Sequence, residues 1–200
     1  MIVYSIFIIF CSLQTLICDK AGVNQESLKE ALNLSLPFIK SFHPAPFSLT
    51  GSSIISPKLS YTEIGPNNIQ FVFDEFGLLH LKFVNLKGSL KGSLFVKKNG
   101  GGFFPYTYAS FTCELSNINW EETYAVESTE KAEGKYDVKF KSISDSSVSF
   151  NIFRLVMANS SQESQTSAKI QINRLNFAPF KAHLKKMSGL ILETLQNKLK

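Results

Sequence analysis

The side chains most able to do chemistry are His43, His80, His183, the adjacent pair Glu121 and Glu122, and Cys113. His43 precedes Pro44 in a proline-rich stretch, His80 falls in a strand-like run and His183 in a helix-like one. Their spacing makes no metal-ligand pattern. Neighbours on a strand point to opposite faces, so Glu121 and Glu122 do not form the facing carboxylate pair that acid–base chemistry needs. No Gly-x-Ser-x-Gly elbow is present. The run Lys98-Asn99-Gly100-Gly101-Gly102 lacks a following lysine and hydroxyl, and no helix opens after it, so it does not cradle phosphate. The chain does not read as an enzyme and calls for no cofactor and no metal. Clusters assembled from distant residues stay open at this point.

What is abundant is apolar strand. Hydrophobic residues make up 44% of the chain, enough to form a core rather than a disordered chain. Phenylalanine occurs 18 times against one tryptophan, and Phe lines an apolar interior with no polar atom to satisfy. The net charge of +5 is carried almost wholly by lysine, with Arg154 and Arg174 the arginines. That balance favours anionic surfaces weakly. It excludes a nucleic-acid footprint, which needs arginine forks and clustered basic runs.

The first eighteen residues, MIVYSIFIIFCSLQTLIC, are uncharged, and Asp19 and Lys20 follow at once. The apolar run is short for spanning a bilayer, so residues 1–18 read as a secretory signal, cut after Cys18, in preference to an N-terminal anchor or a buried helix. The expected location is extracellular or the lumen of the secretory pathway. Residues 19–200 then form one domain, with Cys113 its remaining cysteine. Asn33-Leu34-Ser35 and Asn159-Ser160-Ser161 are glycosylation signals.

The elements follow in order. Residues 23–42 carry Leu28, Ala31, Leu32, Ser35, Ile39 and Phe42 at helical period, with Pro37 kinking the helix or opening a new turn. Residues 43–53 read as an extended linker. Strand-like chain at 57–64 leads through a turn at Gly65 to a strand at 69–73 and a tight corner at 74–77. From Leu78 to Leu90 the parity is mixed, as expected where the outer face is partly covered, and Leu90, Gly92, Leu94 and Val96 then keep one parity. Gly88 and Gly92 mark a bulge, a bend or a close approach of backbone. A strand is expected at 103–119, a shorter one at 120–126, a charged turn at 127–134, and further strands around Val138 and Phe150. Asn159 to Thr166 reads as a polar loop. The end is a long amphipathic helix, with Phe180, Leu184, Met187, Ile191, Leu195 and Leu199 on one stripe and Pro179 in its first turn. Such a stripe packs on a core or lies on a membrane surface. A strongly bent sheet wrapped round this helix would bury both.

The run PKLSYTEIGPNNIQFVFDEFGLLHLKFVNLKGSLKGSLFVKK resembles the N-terminal barrel of the bactericidal permeability-increasing and lipopolysaccharide-binding proteins, within the wider tubular lipid-binding group. The features carrying it are Tyr61 and Ile64, the Ile69 strand, the Gly77 turn and the strand through Asn85, Gly88 and Gly92. The earlier Leu34-Pro37-Phe38-Ile39, the later Gly134-Lys135-Tyr136-Asp137-Val138 and the closing helix fit in the same order. The resemblance implies an α+β fold: an elongated, highly twisted antiparallel β-barrel wrapped against a long C-terminal helix, with an N-terminal helix. It also implies a strand-to-helix disulfide, which this chain cannot make because its closing helix has no cysteine.

By that resemblance the expected function is secreted binding of a phospholipid or other acyl-chain lipid between helix and sheet, with lipid transfer following from it. Ile39, Leu79, Leu81, Phe83, Leu94, Phe180, Leu184, Met187 and Ile191 would line the groove, or pack as core. A second reading is defence, with Lys87, Lys91, Lys97 and Lys98 meeting an anionic microbial or membrane surface or lipopolysaccharide. A third is a non-catalytic interaction domain with a filled core.

Overall fold

The computed structural model describes residues 23–41, 46–50, 53–62, 64–97, 106–132, 135–157 and 160–199. The proposed signal segment, His43, Lys98 and Asn159 lie outside the described residues. In chain order the elements are α1 (Gln25–Ser41), β1 (Phe47–Ser48), β2 (Ile54–Tyr61), β3 (Ile69–Phe73), β4 (Leu79–Lys97), β5 (Tyr106–Ala132), β6 (Lys135–Asp145), β7 (Ser149–Met157), α2 (Gln162–Asn173) and α3 (Ala178–Leu199).

β4, of 19 residues, and β5, of 27, pair antiparallel from Leu79↔Tyr124 to Lys97↔Tyr106. The other edge of β4 takes β3 at one end and β2 at the other, with β1 beyond β2. The other edge of β5 takes β6 and β7. The charged stretch after Val126, expected as a turn, instead continues β5 to Ala132 because β6 pairs with it residue by residue.

The mixed parity of β4 has a local cause. Leu79, Leu81 and Phe83 are buried, then Leu86, Leu90, Leu94 and Val96. The phase changes at Asn85, which sits at φ 56°. In β5 it changes at Asn117, φ 49°, between Leu115 and Ile118. Asparagine enters this left-handed region more readily than most residues. The bulges are tied together: Asn85 N–H donates to Asn119 Oδ1 at 2.8 Å, and Asn119 Nδ2 donates to the Asn117 carbonyl at 2.9 Å. A bulge in each long strand at one level bends the sheet while keeping one face apolar throughout.

The two β4 glycines are explained by close approach. A Cβ on Gly88 would stand 2.9 Å from Ile118 Cδ1 and 3.0 Å from the Ser60 carbonyl oxygen. At Gly92 it would meet Ile54 Cγ2 at 2.8 Å and the ring of Phe111, the cross-strand partner, at 3.1 Å. Neighbouring side chains fill the space that these residues leave.

The sheet is not a closed barrel, which corrects the fold expectation. Closure needs hydrogen bonding between its two outer sides. Here β1, β2 and β3 lie on one side of the central pair and β6 and β7 on the other, and among the described residues the two sets do not pair. α3 takes the place of that seam, touching β1 at one side and β6 at the other. The polar loop expected at 159–166 is also corrected. α2 begins at Gln162, with the Ser161 hydroxyl accepting from Ser164 N–H at 3.1 Å as its N-cap. Its buried apolar stripe is only Ala168 and Ile172, too thin to show as a period.

Replacing Gly88 by valine should lower stability by about 1–3 kcal/mol, because the Ser60 carbonyl is backbone and cannot move aside cheaply. Urea unfolding of Gly88→Val checks this, and an unchanged midpoint would refute the close approach.

Candidate functional site

The region between the inner face of the sheet and the helices is built almost wholly from apolar side chains. β4 supplies Leu79, Leu81, Phe83 and Leu94; β5 supplies Ile118 and Trp120; α1 supplies Leu28, Ala31, Leu32 and Ile39. α3 buries Phe180, Leu184, Met187, Ile191, Leu192 and Leu195 against them. Trp120 stacks on Phe83 with ring centroids 5.9 Å apart, and its buried Nε1 has no hydrogen-bond partner among the described residues.

Polar contacts fix α3 over this interior. On the β6 side, Asp145 accepts from Lys181 and meets Lys185 at 2.6 Å. Those hydrogen bonds, Lys181 first, hold the Asp145 carboxyl below the usual carboxylate range. Glu122 is only 3% exposed, yet takes hydrogen bonds from Tyr124 Oη and Ser142 Oγ, each at 2.6 Å. Burial, then the Glu122 carboxylate, pushes the Tyr124 phenol well up. On the β1 side, Phe47, Tyr61, Phe180 and His183 form a ring cluster with centroids 5.2–6.3 Å apart. Tyr61 Oη and His183 Nε2 are 2.7 Å apart. Burial pushes Tyr61 up to about 12; burial, with the charge of Lys186, pushes His183 down.

His80 lies on the outer face. Its Nδ1 is 2.6 Å from Glu121 Oε1 and its Nε2 is 3.0 Å from Asp74 Oδ2. Burial opposes the imidazolium, but hydrogen bonds to Asp74 and Glu121, with their charges, outweigh it and hold His80 above its ordinary value. Asp74 also accepts from the N–H groups of Phe76 and Leu78, closing the β3–β4 turn. These contacts fasten a hairpin to β5. Among the described residues no group of three or more His, Cys, Asp or Glu could hold a metal ion. Cys113 is buried and forms no disulfide among the described residues, and burial pushes its thiol up to about 11.

The nine residues expected to line a groove all lie in the buried interior. Ile39 and Met187 reach an open groove of about 420 Å³ between α1 and α3, which is also lined by Phe38, Gly189, Leu190 and two exposed charged residues, Lys186 and Glu193. The others are packed in the core. Sequence reasoning passed over Gly189, Phe38 and Leu190. The available signal was a glycine inside a helical pattern. A Cβ on Gly189 would meet nothing within 4 Å. A second groove, about 470 Å³, runs between α1 and β3 past Asn33, Ile69 and Phe71.

Lys87 and Lys91 are exposed on the outer face of β4, away from that interior. Lys87 borders an outer groove of about 450 Å³ with Tyr61, Glu114 and Phe153. Lys97 ends β4 opposite Tyr106. Asn33 is exposed on α1, but Ser35 of its signal is fully buried, its hydroxyl donating to the Ala31 carbonyl at 2.7 Å.

No protein-family model matches the chain, and no curated protein does. Among solved structures it is similar to Takeout 1 of Epiphyas postvittana, at 16% identity over 86% of this chain and 89% of that one, with a TM-score of 0.35. That score is too low to carry an argument, so the functional reading rests on the site's own geometry.

The two described histidines should affect stability in opposite senses. His80 is raised, so its contribution is full below its ordinary value of about 6.5 and is lost as pH rises through the folded value. Asp74 and Glu121 are lowered, so theirs is present above about 4 and lost as pH falls through their folded values. His183 is lowered, so its contribution is present above about 6.5 and lost as pH falls. In urea unfolding, His80→Gln should cost more at mildly acidic than at mildly alkaline pH, and His183→Gln the reverse. Equal losses at both pH values would contradict this assignment.

Proposed function

We propose that the protein is a secreted, non-catalytic carrier that seats the acyl chain of a phospholipid or related lipid in the groove between α1 and α3, over the apolar interior that the helices share with the sheet. The observation that carries this reading is the α1–α3 groove. It is apolar along Phe38, Ile39, Met187 and Leu190, it reaches the buried interior through Ile39 and Met187, and Lys186 and Glu193 stand beside it. Its volume of about 420 Å³ falls in the range of small-molecule sites. Each methylene taken out of water contributes about 0.8 kcal/mol, so a chain needs no specific polar contact to be held. Secretion is supported by the uncharged apolar segment at residues 1–18.

Trp120 is the one tryptophan of the chain and is buried on the inner face, so its emission reports on the interior. A fluorescent fatty acyl probe should bind with energy transfer from Trp120, and lipid extracted from the purified protein should show an acyl species by mass spectrometry. Absence of both would sink the reading.

Gly189 separates this reading from ordinary core packing. Gly189→Ala meets open space in mid-helix and should stabilise the fold by about 0.5–1 kcal/mol. Gly189→Phe places a ring in the groove without entering the core. It should weaken probe binding by roughly tenfold or more, the worth of about two buried methylenes, with the unfolding midpoint retained. Unchanged binding in the folded Gly189→Phe variant would place the ligand elsewhere.

A further inference from the structure

We propose that the outer face of the sheet, where β2, β4, β5 and β7 run toward the β4–β5 connection, is a docking surface for an anionic lipid bilayer. Phe95, Tyr106 and Tyr108 stand there 57%, 53% and 63% exposed. They are ordered against one another: Phe95 lies 5.5 Å from Tyr106 with rings nearly parallel and 5.0 Å from Tyr108. Ile55 and Val156 are exposed on the same face, by the pairings Ile55↔Ser93 and Thr112↔Val156. An ordered, exposed apolar group of this kind is unusual unless something covers it.

The charges say what covers it. β2, β3, β4 and β7 contain no aspartate or glutamate, and β5 contains none before Glu114. Lys58 and Lys91, cross-strand partners, are exposed on the same face, and Lys97 is placed opposite Tyr106 by the register; farther along β5, Arg154 is paired with Glu114. Apart from Glu114, which pairs with Arg154, the acids of these strands lie at the far end, as Glu121, Glu122, Asp145 and those beyond. A second copy of the chain docking face to face would bring together two faces of the same positive sign, each carrying Lys58, Lys87 and Lys91 against Glu114. An anionic bilayer suits all the features together. Tyrosine places its ring among acyl chains and its hydroxyl among headgroups, and lysine stems lie along apolar surface while their ammonium groups reach phosphate. The face lies on the opposite side of the sheet from the α1–α3 groove, so this inference stands whether or not an acyl chain enters the interior.

The test is flotation of the full chain with vesicles of phosphatidylglycerol mixed with phosphatidylcholine, compared with phosphatidylcholine alone, at low and high salt. The expected result is binding to the anionic vesicles only, lost at high salt. Lys58→Gln with Lys91→Gln should bind roughly thirtyfold more weakly. Phe95→Ser with Tyr108→Ser should also lose binding, with the unfolding midpoint kept because both positions are exposed. The proposal is overturned by a wild-type chain that stays unbound at low salt, by binding that ignores lipid charge or salt, or by wild-type affinity in either folded double variant. It is equally overturned if the chain is a dimer that the Phe95 and Tyr108 changes make monomeric, since the face would then be an interface between copies. Probe uptake measured without vesicles reports the interior separately, so the two readings fail independently.

Discussion

α3 carries the apolar burden that the strands of a closed barrel would share. The inner face of the sheet is greasy from Leu79 to Val96 along β4 and from Ala109 to Val126 along β5, and its two sides are not paired to each other. One helix bridges them, and the two attachments use different chemistry. Toward β6 they are ionic and hydrogen-bonded, through Asp145, Glu122, Lys181 and Lys185. Toward β1 they are aromatic, through Phe47, Tyr61, Phe180 and His183. The buried Glu122 carboxyl is satisfied by hydrogen bonds from Tyr124 and Ser142, with the Lys185 ammonium 3.8 Å away. Losing either hydroxyl would leave a buried carboxyl oxygen short of a hydrogen bond at the point where helix meets sheet.

The curvature that makes this cover possible comes from the backbone. Asn85 and Asn117 bulge at one level of the central pair, and the Asn119 side chain links them. Each bulge reverses the side-chain alternation, so the apolar face survives the bend. Gly88 and Gly92 then leave room on that face for Ile118, Ile54 and the ring of Phe111. The same alternation leaves lysine, serine and aromatic residues on the convex side, which is why one sheet presents a dry face to the helices and a basic face to the outside.

Much of this was readable from the chain, and the failures are instructive. The two apolar helices showed because Leu28, Leu32 and Ile39, and Phe180, Leu184 and Ile191, repeat at helical spacing over long stretches. β3 and its following turn showed because a short strand ends in Asp74 and Gly77. The barrel failed because closure depends on which edges meet, and nothing local in β1 or β6 records that. α2 was missed because a helix that buries only Ala168 and Ile172 leaves almost no periodic trace. The parity change of β4 was misread because an asparagine at positive φ looks like any polar residue in a sequence. Of the groove, Ile39 and Met187 were found through their period. Phe38 and Leu190 were not, because residues at its mouth follow neither the core stripe nor the solvent face.

The groove itself is marked by two residues that weaken helices. Pro37 lies inside α1, immediately before Phe38 and Ile39, and Gly189 lies inside α3, between Met187 and Leu190. In a helix interior glycine costs about 1 kcal/mol and proline about 3 kcal/mol relative to alanine. For Gly189, packing does not explain the cost, since its Cβ position is open. Alanine there would strengthen α3 but begin to fill the floor of the groove. Helix stability and the open volume between α1 and α3 therefore pull in opposite directions at this position, and the sequence holds the residue that keeps the volume.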